Sequence, residues 1–470
     1  MVSVVNNHGQ VSCLAKPRAT MLALGQVTLV VLALGFATPS MADNDFFASI
    51  DLAESSGRSS ATEKTMASRW SIKQLASYGL ADPGNSFART ESGLNKMETR
   101  LQGELDFRFT TAVAGRVELE YFHDAVYSLN GDIHPSSEEL DTFRNRVQAR
   151  DIYLDLDLSP VWNLRAGNQI VAWGQAETLI INDLVAPLNN YTIMQADLKD
   201  LRLHTPAIKL TRSDATLTLD GLVTYDAGYN DLAPEGNEFD PFIQLRNLPF
   251  TIKKHKADRR SEYFFRVKHS FKGGDISLIL ADANHNELSL ANTSADTFYF
   301  TQERIQALGL SGTYNKGLWV YKAEMAFHHN KPLMPETGAF MDYLQGWEKR
   351  DQALAMVGFD YAGFGDATFT LELNAVHTSG NTRPLAVDTN EVGATTSVHW
   401  SDENQKFNVN LHLISLLDGN GVIFRANTEY SLTDNLKLGS LLVTYDAGRE
   451  DSLFVYRNND AIQFYAQYFF

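Results

Sequence analysis

The sequence predicts an all-β fold, a single transmembrane antiparallel β-barrel of about 18 strands. Three observations predict it. Apolar and polar residues alternate with period two over stretches of about ten residues, the length a tilted strand needs to cross a bilayer. Short turns and long connections take turns along the chain. Beyond the N-terminal region, no stretch approaches the roughly 18 uninterrupted apolar residues of a spanning helix.

The N-terminus reads as a secretory leader. Lys16 and Arg18 precede an apolar run from Met21 to Ala37, and Ser40-Met41-Ala42 supplies a small-x-small cleavage pattern. A signal peptide over 1–42 is expected, leaving 428 of the 470 residues. Cleavage removes two basic and no acidic residues, so the formal charge moves from −17 to −19. The one cysteine, Cys13, leaves as well, which excludes disulfides, cysteine ligation and thiol chemistry in the mature chain. The acidic balance argues against nucleic acid as a partner.

The C-terminal segment shows the alternation most plainly. Ile462, Phe464, Ala466, Tyr468 and Phe470 share one face. That closing strand resembles the signal by which bacterial outer-membrane proteins engage their assembly machinery, here through Phe470. Phe407–Leu413, Thr368–Asn374 and Asp151–Leu158 repeat the pattern. A soluble sandwich alternates too, so the connections must decide. Short turns fall near 111–115, 159–160, 211–215, 272–275, 315–317, 362–366, 401–405 and 431–435. Long connections fall near 127–146, 173–203, 227–260, 285–302, 329–350, 378–390 and 447–458. Short periplasmic turns and long extracellular loops are the outer-membrane pattern. Counting back from Phe470 gives seventeen strands, and an even number requires one more near Ser68–Leu80; sixteen is the alternative. Residues 43–67 are then a periplasmic extension or small plug, and 68–470 the barrel. A barrel this wide holds a channel or a plug, because side chains cannot fill it.

Strict alternation places Glu98, Glu104, Asp106, Glu118, Glu120, Asp124, Asp151, Asp155 and Asp157 on the lumen face, with Arg100, Arg108, Arg165, Arg266, Lys268, Lys322 and Arg425. Such a wall is either mutually paired or an electrostatic filter for permeant ions. Arg165, Gln169 and Trp173 share this inward parity. The connection after them is apolar at Leu179, Ile180, Ile181, Leu184 and Val185, more aliphatic surface than an exposed loop leaves in water. It is expected to fold back into the barrel as a constriction or apolar ledge; a helix capping the rim is the alternative.

The run through this region, Gly167, Gln169, Trp173, Gly174, Asp183, Pro187 and Leu188, resembles a family of proteobacterial outer-membrane barrels known only as a domain of unknown function. Ala186 stands where that family usually shows Asn. The resemblance implies a relative of porins and the alginate exporter that moves hydrophobic or lipid-like compounds, with an inner-membrane pump of the resistance-nodulation-division type as a partner.

The connection 227–260 ends in Lys253, Lys254, Lys256, Arg259 and Arg260, which suit lipopolysaccharide phosphates or are a solvated face. His377, Ser379 and Asn381 loosely resemble the His-x-Ser-Asn-Gly element of outer-membrane phospholipase A, with Gly380 and Asn381 in swapped order. Ser379 falls in a polar loop tip, so no enzyme is expected. His328-His329 lacks a third ligand in sequence and reads as a rim pair, and phosphate-loop, metalloprotease and dinucleotide motifs are missing, so no metal or cofactor is expected. The reading is an outer-membrane channel; a membrane-embedded lipid hydrolase and a surface receptor scaffold are its rivals.

Overall fold

The computed structural model describes residues 65–80, 92–131, 133–196, 200–225, 228–243, 251–253, 260–294, 297–334, 347–380, 385, 387–417, 421–447 and 453–470. The chain divides into two units, Met1–Ala42 and Asp43–Phe470, and every described residue belongs to the second.

Period-two alternation produces one 18-stranded antiparallel sheet. Its first nine strands are β1 Thr65–Gly79, β2 Gly93–Thr110, β3 Val113–Asp124, β4 Asn145–Ser159, β5 Trp162–Gln169, β6 Thr205–Ser213, β7 Leu217–Thr224, β8 Glu262–Phe271 and β9 Gly274–Asn284. The rest are β10 Arg304–Lys316, β11 Trp319–Leu333, β12 Glu348–Tyr361, β13 Ala367–Thr378, β14 Asn390–Ser401, β15 Phe407–Leu416, β16 Gly421–Ser431, β17 Leu436–Asp446 and β18 Ala461–Phe469. Each strand pairs with its neighbour in sequence, and β1 pairs with β18 from Ser71↔Phe469 to Gly79↔Ala461, closing the barrel. Closure leaves no open sheet edge, which hydrocarbon requires. The eighteenth strand lies where parity demanded it, but it begins at Thr65 rather than Ser68, inside the stretch assigned to the extension. Residues 43–64 lie outside the described residues.

One face of each strand is apolar and exposed. Leu278 and Leu280 on β9, Leu308 and Leu310 on β10, and Met325 and Phe327 on β11 point outward. Between them Ser277, Ser311, Lys322, Glu324 and His328 are buried on the other side. The outward set is the lipid band and the inward set the lumen wall. Aromatic side chains ring the short-turn end: Phe271 stacks on Tyr314, Trp319 packs on Tyr361 with centroids 4.3 Å apart, and Tyr468 meets Phe470 edge-on. Such a girdle anchors a barrel at the membrane interface. This is an outer-membrane barrel.

The alternation breaks once in a way that matters. Val117 pairs with Ile152 and Leu119 with Ala149, so Arg150 and Asp151 together face Glu118 alone. This β-bulge turns both side chains toward the lumen. Strict alternation counts Asp151 and misses Arg150.

Above the long-connection rim, two short helices, α1 Val126–Leu129 and α2 Ser137–Phe143, follow β3; the Ser136 hydroxyl caps α2 by accepting the Glu139 N–H at 3.1 Å. A small sheet of Ser289–Ser294, Thr297–Thr301 and Thr251–Lys253 buries Phe242, Leu290 and Phe298.

Candidate functional site

Residues 170–196 and 200–204, between β5 and β6, run inside the barrel and bond to strands around its circumference. The motif residues start and fix this segment. Gln169, the last residue of β5, is buried and donates to the Ala207 carbonyl at 3.1 Å. Trp173 is already off the strand; its ring packs in a cluster with Val171, Val185, Leu222, Phe264 and Ile279, and Arg266 sits over its face at 5.1 Å. A Cβ on Gly174 would lie 3.0 Å from the Asp183 Cβ, so glycine permits that approach. Asp183 accepts the Trp173 N–H at 3.3 Å and pairs with Arg202 at 2.6 Å. The Pro187 carbonyl accepts the Leu203 N–H at 2.8 Å, and Leu188 donates to Asn230 at 2.8 Å. The motif therefore clasps the two ends of the segment together.

Between those ends the segment follows the wall. Ile181 is 1% exposed and packs on Ala326, Leu354, Met356 and Val376, with Leu179 beside it. Val185 is buried with the Trp173 cluster, Leu184 is half-buried against it, and Ile180 is half-buried. Asn182 occupies the space above Gly309, where a Cβ would come within 1.8 Å of its Oδ1, and donates to the Leu310 carbonyl at 3.0 Å. His328 bonds the Ile181 carbonyl at 3.0 Å. The His328-His329 pair is thus split: His328 points inward, while His329 is exposed and bonds Asp351 at 2.8 Å.

Polar anchors continue round the lumen. Gln175 donates its N–H to Glu324, and Glu177 its N–H to Glu372 at 2.9 Å. Thr178 bonds Thr395 on β14. Lys322 lies 2.8 Å from Glu372, 3.0 Å from Asp360 and 3.7 Å from Glu177. Burial pushes the Glu177 carboxyl up to about 7; Lys322 holds it down, and Glu372 and Asp360 push it further up. On the far wall Arg425 donates to the Met194 carbonyl at 3.1 Å and Tyr445 to that of Ile193. Asp200 then pairs with Arg150 at 2.9 Å and Arg100 at 3.6 Å, returning the segment to β2 and β4.

The charged wall is extensively paired. Arg165 bonds Asp155 at 2.6 Å, Arg266 bonds Asp220 at 2.8 Å, and Arg116 reaches Glu104, Asp106 and Asp151. Asp157 lies near the short-turn end, accepting from Asn163 at 3.2 Å. Among the described residues one triad, Glu118, Asp151 and His204, brings three metal-ligand types within 4.8 Å. Arg150 stands 2.8 Å from Glu118 and Arg116 3.9 Å from Asp151, so guanidinium groups already supply the countercharge there. Asp220 and Arg116, which pair with Arg266 and Asp106 on adjacent strands, Glu372, which pairs with Lys322 two strands along the wall, and Asp200, on the inner segment, were missed in sequence, where nothing marks which residues the strand register brings together.

Of the basic run, Lys253 and Arg260 are exposed, and Lys254, Lys256 and Arg259 lie outside the described residues. His377 faces the lipid side and bonds Asn390 at 2.8 Å, while the Ser379 hydroxyl donates to the Asp351 carbonyl at 3.0 Å. No hydrogen bond joins His377 to Ser379; Asn381 lies outside the described residues.

No curated protein matches the sequence. Three crystal structures from Acinetobacter baumannii share the fold. OccAB1 aligns with a TM-score of 0.53 at 9% identity, covering 87% of this chain and 96% of its own. OccAB4 aligns at 0.51 and 8%, covering 87% and 99%, and OccAB3 at 0.51 and 11%, covering 86% and 99%. The profile of DUF1302, a protein family of unknown function, matches residues 23–431. Matched over most of its length, motif included, the chain belongs to the DUF1302 family.

Proposed function

We propose that this protein is an outer-membrane channel narrowed by the inner segment, residues 170–196 and 200–204, and that its cargo is hydrophobic or amphipathic. One observation carries the reading: the segment bonds to β10, β11, β13 and β14 on one side and to β16, β17, β2 and β4 on the other. An 18-strand barrel would otherwise be open. Gln169 at the end of β5, and Trp173, Ile181 and Val185 within the segment, hold it against the wall. The half-buried Leu179, Ile180 and Leu184 present apolar surface to whatever passes, and an apolar constriction resists small ions by dewetting.

Planar-bilayer recording tests this. Deleting 175–186 should raise ion conductance steeply. Asp155→Asn with Asp157→Asn should shift selectivity toward anions more than it changes magnitude, because Arg165 loses its countercharge. Equal conductance for intact and shortened protein would retire the constriction. Delivery by an inner-membrane pump is the finer proposal; cargo export unchanged on deleting the pump refutes it. A lipid hydrolase finds no support in the separate partners of His377 and Ser379.

A further inference from the structure

We infer that the cavity between the segment 189–196 and the wall of β1–β4 is a binding subsite for an amphipathic anion, with Arg146 receiving the headgroup. The inference deepens the channel reading and rests on it for how a ligand arrives. The cavity encloses about 1120 Å³ of empty space, its open mouth included.

Arg146 differs from most arginines of the lumen. Arg100, Arg116, Arg150, Arg165, Arg202 and Arg266 each reach a carboxylate. Arg146 reaches none within ion-pair distance among the described residues, and its Nε is buried without a hydrogen-bond partner. Its guanidinium carbon lies 5.5 Å from the Tyr191 ring and 6.0 Å from that of Phe122. Asp231, the acid whose field it feels, stands beside the Tyr191 hydroxyl and beyond ion-pair distance of the guanidinium. A planar cation over two aromatic rings, with its Nε–H unbonded and no carboxylate within ion-pair distance among the described residues, is preorganised for an oxyanion, carboxylate or phosphate.

The surroundings favour a ligand with an apolar body. Phe143 meets Tyr191 edge-on at 5.2 Å, and Leu75, Ile133 and Leu441 line the same cavity. Lys96 adds a second cation, its ammonium donating to Gln195 at 3.1 Å. The acids lining the cavity are engaged: Glu98 by Arg100, Asp124 by the Met97 and Val126 N–H groups, Glu139 by Asn237 and Asp200 by Arg150, while Glu238 faces Lys96.

Isothermal titration calorimetry on the full chain in lipid nanodiscs, with empty nanodiscs subtracted, tests the subsite. The probes are 4-phenylbutyrate, 4-phenylbutyl phosphate, the neutral 4-phenylbutan-1-ol, and acetate. At least one of the two amphipathic anions should bind at least tenfold tighter than the alcohol and than acetate, and the tighter of the two identifies the headgroup. Arg146→Gln should weaken that anion about tenfold to a hundredfold, the span of charge-assisted bonds to a buried site, and leave the alcohol unchanged. Arg146→Lys should fall between, which separates a lost headgroup contact from a misfolded barrel. Alcohol binding as tightly as the better anion, or anion binding unaltered in Arg146→Gln, would overturn the subsite. Because binding is read without conduction, a failure here is distinguishable from a failure of the constriction.

Discussion

Ile181→Ala tests how the inner segment is held. Ile181 is 1% exposed among Ala326, Leu354, Met356 and Val376. Truncation removes three carbons, each worth about 0.8 kcal/mol of burial, and leaves a cavity between segment and wall, about 2–4 kcal/mol altogether. At about 1.4 kcal/mol per tenfold, local opening of the stretch around Ile181 becomes roughly thirty to seven hundred times more frequent. The bond from His328 goes to the main-chain carbonyl of Ile181 and survives the substitution, so the loss belongs to the side chain. The assay is hydrogen exchange followed by mass spectrometry in nanodiscs, reading the Gln175 and Glu177 amides that bond to Glu324 and Glu372. Their protection should fall by that factor, while amides in β10 and β11 keep theirs. As a control, Val147→Ala trims an exposed outward side chain and should change neither. Unaltered exchange at Gln175 and Glu177 in Ile181→Ala would show that the apolar contact does not hold the segment.

Other outcomes follow from the same contacts. Gly309→Ala should undock the segment locally and raise channel noise, because the new methyl meets the Asn182 side chain; quiet, intact-like traces would refute that fit. The docked state holds the Glu177 carboxyl near 7, above an exposed value of 4.5, so it binds a proton more tightly than the undocked state. Docking is therefore strongest below about pH 4.5 and weakens as pH rises through 7, by on the order of 3 kcal/mol in total. Glu177→Gln should flatten this dependence although Lys322, Glu372 and Asp360 remain; an unchanged pH profile counts against it. Replacing Lys253 and Arg260 with Gln should weaken lipopolysaccharide binding in a salt-dependent manner, and equal retention on lipopolysaccharide-coated beads would dismiss that contact.

The barrel was legible in the sequence because its determinants are local. A strand between lipid and water must alternate, and the turns at one end of this barrel are short, so both leave marks within ten residues. Even the weakly patterned β1 follows from parity. The bulge at Arg150 and Asp151 left no such mark, since its cause is a mismatch with β3. The aliphatic run from Leu179 to Val185 announced that it needed cover, but not which wall supplied it. The Lys322 cluster joins residues 145 and 195 positions apart in sequence from the strand and the segment, and no periodicity encodes that. Arg146 went unnoticed because its distinction is the lack of a carboxylate partner among the described residues, which only a structure displays.

Gln195 bears on the closure of the barrel. Its carbonyl oxygen accepts from Lys96 on β2, and its amide donates to the Asn459 carbonyl just before β18, each at 3.1 Å. Between those two lies β1, where the first and last strands of the sheet meet. The final ladder of the barrel is thus clipped from inside by a residue from the middle of the chain. Docking of the segment therefore adds one bond on each side of the closing strand, and a variant defective in docking should let β1 part from β18 more readily.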